Sequence, residues 1–301
     1  MSSHWNLSSR SVGFLDDRYE VGELLGAGAM GTVFAAKDLI LGIDVAVKVM
    51  HEKLARSKKD VARFAAEASL CSRMWSPHVV RTLAIAVTRD GVPCIVYERL
   101  VGETLGTRLA REGGLPLSLM LEIVKQTARA LARAHAIGVI HRDVKPDNIF
   151  LTEDARGQLL VKLLDFGIAE ASQKDGTYSA TLFAGTPEYM APEVLFGTHE
   201  TDARSDLYAL GVIAFECLTG RCPIMGDLLA VVEQHGSATR PSLTEHRPDL
   251  DGLVDTWMTR ALDPDPSLRF ASAKELAESL ELAVRSTKGN PSARRKLLEA
   301  A

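Results

Sequence analysis

One short segment gathers several of the residue types that chemistry requires. The segment "IHRDVKPDNIFL", residues 140–151, sets Asp143, Lys145 and Asn148 close together between aliphatic residues. Cations, carboxylates and an amide in one loop suit a reaction that asks the protein mainly to position groups and to neutralise charge.

A second candidate element is the glycine-rich "GAGAMG", in which Gly26, Gly28 and Gly31 satisfy the pattern GxGxxG. Because glycine has no Cβ, its backbone can approach phosphoryl oxygens and direct N–H groups at them. In dinucleotide-binding folds the last glycine opens a helix, whereas here "TVF" continues as a strand. This context favours a hairpin folded over phosphates, and an ordinary glycine-rich β-turn is the alternative.

Lys48 is the third candidate, at the end of the alternating segment "DVAVKVM". Its neighbours Val47 and Val49 are apolar, so the lysine side chain points to the opposite face of the strand. Glu67, on the helix predicted next, offers an ion pair that would hold the ammonium where it can meet α- and β-phosphates. The alternatives are a solvent-facing lysine and a solvated helix carboxylate.

The elements that must position these residues begin with strands. Up to about residue 101, alternating segments predict a meander, "YEVGELLG", "TVFAAKD" and "DVAVKVM", and a closing hairpin, "VVRTLAIAVT" and "PCIVYERL". The apolar residues of "KKDVARFAAEASLCSRM" recur every three or four positions, with Asp60 near the start, which predicts one helix. Cys71 on this helix is interpreted as core packing.

Beyond residue 101 the pattern is helical. "PLSLMLEIVKQTARALARAHAIG" predicts a long helix that stops at Gly138, and "DARSDLYALGVIAFECLTG", apolar after an acidic start, predicts a central buried helix. "LDGLVDTWMTRAL" and "SAKELAESLELAV" add two amphipathic helices, the second capped by Ser272 with Glu275. The predicted fold class is α+β, with a small β-rich lobe containing one main helix and a larger, mainly α-helical lobe.

Composition limits the partners and the compartment. The 301 residues are 46% hydrophobic and carry a net charge of -4, which allows a sizeable core and gives no field that would attract nucleic acid. The four cysteines lack CxxC and Cys/His spacing, which indicates neither disulfides nor zinc and favours the cytoplasm. The sequence shows no signal peptide and no run long enough for a membrane helix.

The motifs together carry a family resemblance. In this order and spacing, "GAGAMG" with "VAVK", "HRDVKPDN", "LDFG" and "GTPEYMAPE" resemble eukaryotic-type protein kinases, and the resemblance covers about residues 18–284. The segments "GAGAMGTVFAAKD", "DFGIA" and "SDLYALGVIAFECLTG" are similar to bacterial serine/threonine kinases. The resemblance implies the bilobal protein-kinase fold, with tails at 1–17 and 286–301, an N-lobe at 18–100 and a C-lobe at 101–285. It also implies Mg-ATP-dependent transfer of the γ-phosphoryl group to Ser or Thr hydroxyls of proteins, in bacterial signalling.

The resemblance assigns catalytic roles to four residues. It implies that Asp143 orients the acceptor hydroxyl and takes its proton, and that Lys145 stabilises the γ-phosphoryl group. Lys48, paired with Glu67, would hold the α- and β-phosphates. All four residue types match their motif positions.

Two further positions match the metal ligands of the family. By resemblance, Asn148 and Asp165 hold magnesium, and manganese is a conceivable substitute. A loop-capping aspartate is the alternative for Asp165. His141 and Phe166 are expected to pack in the interior, away from the substrate.

The resemblance also implies an ATP site. Tyr97 would be the gatekeeper behind the adenine, the backbone from Glu98 to Leu100 would bind the base, and Glu103 would reach the ribose. The residues predicted to contact ATP are Leu25, Gly26, Gly28, Gly31, Val33, Ala46, Lys48, Tyr97, Glu98, Leu100, Glu103 and Leu151. The apolar members are equally acceptable as plain core residues.

The segment "GTPEYMAPE", residues 185–193, bears on the substrate. In the kinases that it resembles, this segment lies beside the accepting residue, and Lys145 with Thr186 indicates Ser or Thr as the acceptor. Glu193 is expected to pair with Arg269 as a buried structural clamp. An enzyme that phosphorylates small molecules is an alternative that leaves this segment unexplained.

The hydroxyl-rich stretch between residues 167 and 185 suggests control by phosphorylation. Arg142 precedes Asp143, as in kinases that are activated through this loop, and could pair with a phosphate on Thr181, Ser179 or Thr177. Thr181 is the first choice, and a merely disordered loop is the alternative. Regulatory protein partners are conceivable. A pseudokinase that binds nucleotide without catalysis is the rival function, against which the complete set of motif residues argues.

Overall fold

The structure is a computed structural model that describes residues 13–15, 17–166, 187–197, 201–226, 228–236, 242–250 and 252–287. Contacts within the chain define two compact units. The first comprises Met1–Trp75 and Val80–Val101, and the second comprises Ser76–Val79 and Gly102–Ala301. The glycine loop, Lys48 and Glu67 belong to the first unit, whereas residues 140–151 and Asp165 belong to the second.

The first unit is built on an antiparallel sheet. Its strands are β1 (Gly13–Leu15), β2 (Tyr19–Ala27), β3 (Gly31–Asp38), β4 (Ile43–Met50), β5 (Thr82–Val87) and β6 (Pro93–Glu98), in the spatial order β1-β2-β3-β4-β6-β5. The predicted meander and closing hairpin are confirmed. Val45, Val47 and Val96 are fully buried in the core on one face. Because alternate residues of a strand point to opposite faces, Lys48 lies on the other face.

Two helices follow β4, α1 (Glu52–Ala55) and α2 (Lys58–Arg73). The Ser57 hydroxyl caps α2 by accepting a hydrogen bond from the Asp60 amide at 3.3 Å. Phe64, Glu67 and Cys71 lie on the buried side of α2, at the spacing of one helical face. The helix was predicted, and the burial of Cys71 agrees with its interpretation as core packing.

The second unit is mainly helical. Its helices are α3 (Leu105–Glu112), α4 (Leu117–His135), α5 (Pro192–Phe196), α6 (Arg204–Thr219), α7 (Leu228–Gly236), α8 (Leu243–His246), α9 (Gly252–Ala261) and α10 (Ala273–Thr287). It also contains a small antiparallel sheet of β7 (Glu103–Thr104), β8 (Ile149–Glu153) and β9 (Leu159–Leu163). This sheet was not predicted, because its strands are short and lie between helical patterns.

The core of the second unit forms around α6. This helix is buried nearly all round, as its apolar sequence predicts, and it contacts α4 and α9. A Cβ at Gly211 would lie 3.0 Å from the Ala261 side chain, so glycine here permits the close approach of α9. The predicted helix stop at Gly138 is confirmed, since this residue has a φ of 74°. The Ser272 hydroxyl accepts the Glu275 amide at 3.1 Å and caps α10.

No helix within the described residues combines the length and apolar character that a membrane span requires. All four cysteines lie in described ranges, and none of them forms a disulfide.

Candidate active site

The glycine loop is the turn between β2 and β3. Gly26 pairs with Val33 in the strand register, and the Gly28 amide donates to the Gly31 carbonyl at 2.9 Å, which closes the hairpin. A Cβ at Gly31 would lie 2.4 Å from the Val49 carbonyl oxygen, so packing alone requires glycine there. At Gly26 a Cβ would meet no described atom within 4 Å, and at Gly28 only the Gly31 carbonyl at 3.9 Å. Space for the close approach of a ligand therefore exists beside these two glycines.

Lys48 and Glu67 form a buried ion pair in the first unit. The Lys48 ammonium lies 3.0 Å from Glu67 Oε1, and the two side chains are only 7% and 5% exposed. Their backbones belong to β4 and α2, so the pair ties the helix to the sheet. The alternatives of a solvent-facing lysine and a solvated carboxylate are excluded by this geometry. An ammonium held in this way is a fixed positive charge that suits phosphate oxygens.

Tyr97 and Ala46 face each other across β6 and β4. Both are buried, whereas Leu25 and Val33 on the glycine-loop hairpin are half-buried. The Tyr97 hydroxyl also lies 3.4 Å from Glu67 Oε1. The structure therefore brings the predicted gatekeeper to the Lys48–Glu67 pair.

The segment after β6, predicted to bind the base, is fixed at its start by Arg81. The Glu98 amide donates to the Arg81 carbonyl at 3.0 Å, and the Glu98 carboxylate accepts the Arg81 amide at 2.8 Å. The Leu100 carbonyl accepts the Arg99 guanidinium at 3.2 Å. These contacts define the backbone from Glu98 to Leu100, and its contact with an adenine stays a prediction.

In the second unit, Asp206 organises the segment that contains Asp143. From the first turn of α6, its carboxylate accepts the amides of His141 and Arg142, each at 2.9 Å, and a side-chain hydrogen bond from His135 at 2.7 Å. Arg142 has a φ of 68°, which is unusual for a residue with a side chain, and the Asp206 bonds stabilise this turn. Sequence reasoning missed Asp206. An aspartate at the start of an otherwise apolar helix was the available signal.

Asp143, Lys145 and Asn148 form one hydrogen-bonded cluster. The Lys145 ammonium lies 2.9 Å and 2.8 Å from the two oxygens of the Asp143 carboxylate. The Asn148 amide nitrogen donates to the Asp143 carbonyl at 2.7 Å and to its carboxylate at 2.9 Å. The Asp143 side chain is 41% exposed, so a hydroxyl group from another molecule can reach it. The structure thus places a candidate base beside a cation.

Asn148 and Asp165 are linked through the main chain. The Leu164 amide, just before Asp165, donates to the Asn148 carbonyl at 2.8 Å. Because the Asn148 side-chain nitrogen is directed at Asp143, its Oδ1 is the atom offered to a cation. An amide oxygen and a carboxylate are hard donors of the kind that magnesium prefers. The residues present therefore fit a magnesium ion.

His141 and Phe166 pack in the interior of the second unit. Both are at most 1% exposed, and their ring centroids are 4.6 Å apart. The His141 ring is also hydrogen bonded to the Leu164 carbonyl at 2.9 Å. Their predicted role as core residues is confirmed by this burial.

Glu103, the predicted ribose contact, is held by two arginines. Arg108 Nε lies 2.6 Å and Arg111 Nη2 lies 2.8 Å from its Oε1. Hydrogen bonds from Arg111 and then Arg108 lower the pKa of the Glu103 carboxyl to about 2. Leu151 pairs with Glu103 across β8 and β7 and is buried. The contact of Glu103 with a ribose stays a prediction.

The predicted clamp between Glu193 and Arg269 is present. The guanidinium donates to both carboxylate oxygens, at 2.8 Å and 2.7 Å, and both side chains are almost fully buried. The neighbouring Tyr189 donates its hydroxyl to Glu216 at 2.7 Å, and burial raises the pKa of Glu216. The other end of this segment, including Thr186, lies outside the described residues, as do the phosphorylation candidates Thr181, Ser179 and Thr177.

Comparisons with known proteins identify similar chains. The family model described as "Protein kinase domain" matches residues 19–280. The chain is 40% identical to the serine/threonine-protein kinase pkn2 of Myxococcus xanthus, over 89% of this chain and 33% of that protein. It is 37% identical to the serine/threonine-protein kinase PknB of Mycolicibacterium smegmatis, over 88% of this chain and 43% of the relative. The chain thus spans less than half the length of these two relatives.

Solved structures show the same fold class. The Mycobacterium tuberculosis PknI kinase domain is 30% identical with a TM-score of 0.70, and the match covers 91% of this chain and 99% of that one. Rad53 1-466, solved in complex with AMP-PNP, is 26% identical with a TM-score of 0.71, over 87% of this chain and 64% of that one. The predicted two-lobe α+β fold is confirmed by these likenesses.

Proposed function

The chain belongs to the protein kinase domain family, and we propose that it is a non-specific serine/threonine protein kinase. In this proposal it transfers the γ-phosphoryl group of ATP to Ser or Thr hydroxyls of proteins. The observation that carries the proposal is the cluster in which the exposed Asp143 carboxylate is bonded to both Lys145 and Asn148. A carboxylate with a cation beside it suits a reaction that removes a hydroxyl proton while phosphoryl charge is redistributed.

In the proposed step, the acceptor hydroxyl oxygen forms a bond to the γ-phosphorus, and the bond between this phosphorus and the β,γ-bridging oxygen breaks. The proton of the hydroxyl passes to the Asp143 carboxylate, and ADP leaves with the electron pair of the broken bond. The Lys145 ammonium, within 3 Å of Asp143, neutralises charge on the transferred group. Asn148 holds the carboxylate in place through its amide nitrogen.

The first unit supplies the groups that would bind the remaining phosphates. The Lys48 ammonium, fixed by Glu67, is proposed to meet the α- and β-phosphate oxygens. Gly26 and Gly28 are proposed to let the loop backbone approach these phosphates. The support is that a Cβ at either position would enter open space. Packing within the described residues therefore does not explain why these two positions are glycine.

A divalent cation is proposed at Asn148 and Asp165. When bound, magnesium neutralises the phosphate oxygens of the nucleotide, and manganese has the same preference for hard oxygen ligands. The oxygen donors and the main-chain bond between Asn148 and Leu164 support this assignment.

The substrates are proposed to be proteins with Ser or Thr acceptors, and the chain itself is one candidate. Its segment 177–181 offers Thr181, Ser179 and Thr177 as autophosphorylation sites. Regulatory protein partners are part of the same proposal, since signalling kinases require an input. We propose the cytoplasm as the compartment, with the four thiols as support.

Intact mass measurement tests this function. The chain and its Asp143→Asn variant are incubated with Mg-ATP, and their masses and phosphorylated sites are compared. The parent is expected to gain phosphate on Ser or Thr residues, and the variant is expected to lose about 10²- to 10⁴-fold in rate. If neither protein transfers phosphate to itself or to added substrate proteins while the nucleotide still binds, the pseudokinase function replaces this proposal.

A further inference from the structure

His51 contacts the glycine loop at two points. Its ring Nε2 lies 2.9 Å from the Gly28 carbonyl oxygen, and its main-chain amide donates to the Met30 carbonyl at 3.0 Å. His51 directly follows β4, whereas the loop joins β2 to β3. A single residue outside the glycine loop is therefore bonded to two of its carbonyl groups.

The backbone of His51, from which the ring projects, is itself fixed by hydrogen bonds. The His51 carbonyl accepts the amides of Leu54 and Ala55, at 2.9 Å and 3.0 Å, and so begins α1. The chain continues to α2 through a bond from the Ser57 amide to the Leu54 carbonyl at 3.0 Å. The His51 side chain makes no capping bond to α1. Its ring is therefore used for the loop, while its backbone alone starts the helix.

The contact with His51 acts on a glycine of the loop. The Gly28 amide donates to the Gly31 carbonyl, and the Gly28 carbonyl accepts the His51 ring. Both polar groups of the Gly28 backbone thus have partners within the protein. Because glycine loses more conformational freedom on ordering than other residues, an untethered loop would lose more entropy on closing over a ligand. Ordering the loop in advance reduces this cost of binding.

We infer that His51 is a positioning residue for the nucleotide, because its ring holds the glycine loop in a conformation ready for phosphates. The inference rests on the proposed function of the loop. The contact requires a donor at the ring nitrogen, since the Gly28 carbonyl only accepts. Glutamine carries an amide donor at a similar distance from the backbone, whereas alanine carries none. His51 is half-buried, so its replacement leaves the core of the unit intact.

The experiment compares the parent chain with His51→Ala, His51→Gln and the control Lys37→Ala, whose side chain is exposed on β3. Three quantities are measured: the kinetic constants kcat and KM for Mg-ATP with a protein substrate, the Kd of Mg-ATP by calorimetry, and amide hydrogen exchange of the peptide that covers the glycine loop. For His51→Ala we expect KM and Kd to rise about threefold to tenfold, the size of one lost hydrogen bond, with a much smaller change in kcat. Faster exchange of the loop amides is expected as well, and His51→Gln should recover part of each effect.

The outcomes separate this inference from the proposed function. An active parent with the same KM, Kd and loop exchange in His51→Ala as in Lys37→Ala overturns the positioning role. Equal losses in His51→Gln and His51→Ala overturn it too, because the donor would then be irrelevant. A parent that neither binds ATP nor transfers phosphate overturns the proposed function instead. The exchange measurement on those same proteins still decides whether the ring orders the loop.

Discussion

The hydroxyl of Tyr97 lies 3.4 Å from Oε1 of Glu67, the same oxygen that the Lys48 ammonium approaches at 3.0 Å. These three residues are only 4% to 6% exposed. A carboxylate taken out of water is stable only when hydrogen bonds and an opposite charge replace its hydration. The Tyr97 phenol is a second donor to this carboxylate. The predicted gatekeeper therefore also stabilises the position of α2, which carries Glu67.

Replacing Tyr97 by phenylalanine tests this relationship. Tyr97→Phe removes only the donor, and we expect it to lower the free energy of unfolding by about 1 kcal/mol and to weaken ATP binding. Urea denaturation and calorimetry measure the two effects. The same substitution in a Glu67→Ala background should have little effect, because the acceptor is absent. An equal effect in both backgrounds would show that the hydroxyl acts through another contact.

Gly31 and Gly28 of the glycine loop should respond differently to replacement by alanine. In Gly31→Ala the new Cβ would lie 2.4 Å from the Val49 carbonyl, so we expect a loss of stability of about 1–3 kcal/mol from overpacking. In Gly28→Ala the Cβ enters open space, and stability should change little while the KM for ATP rises. Thermal denaturation and steady-state kinetics on both variants check this. Normal stability of Gly31→Ala would contradict the close contact of the loop with β4.

The Glu193–Arg269 clamp predicts a large effect on stability. Glu193→Gln leaves the buried guanidinium without its charge partner, and breaking such a pair costs about 3–5 kcal/mol. Glu278→Gln is the control, since the Glu278–Lys274 pair is largely exposed and surface pairs contribute roughly 0–1 kcal/mol. Urea denaturation of both variants measures the difference. Equal losses would mean that the clamp contributes no more than a surface pair.

Residue types and spacing predicted more of the candidate site residues than of the contacts that hold them in position. Strand alternation placed the Lys48 side chain on the face opposite Val47 and Val49, and Glu67 on the next predicted helix was its candidate partner, with a solvated carboxylate as the alternative. The motif positions of Asp143 and Asn148 likewise predicted a cluster. The distance between Lys48 and Glu67 could not be predicted from the sequence, since a 3 Å contact between β4 and α2 depends on how the helix packs on the sheet.

The sequence did not predict the hydrogen bonds between side chains and backbone groups that are far apart along the chain. The buried Gln126 side chain of α4 bonds to the backbone of β9, at 3.0 Å to the Leu159 carbonyl and 2.8 Å from the Val161 amide. Asp206 of α6 similarly holds the backbone at residues 141 and 142. Such contacts join residues far apart in sequence, and no local period encodes them.

His78 predicts how the stability of the second unit depends on pH. Its ring is hydrogen bonded to the Val161 carbonyl at 3.1 Å, and burial lowers the pKa of His78, with smaller contributions from the nearby charges of Arg129 and Lys162. The unfolded chain therefore binds a proton at a pH where the folded His78 does not. Stability is then complete above the unfolded pKa of 6.5 and falls as the pH drops from there towards the lower folded pKa.

Comparison with His78→Asn isolates this contribution. The asparagine amide can donate to the Val161 carbonyl in place of the ring but does not titrate. We expect the free energy of unfolding of the parent to fall more steeply than that of the variant between about pH 7.5 and about pH 5.5. Urea denaturation followed by tryptophan fluorescence measures both slopes. Parallel slopes would contradict the assignment, because they would mean that His78 binds its proton equally well in the folded and unfolded chain.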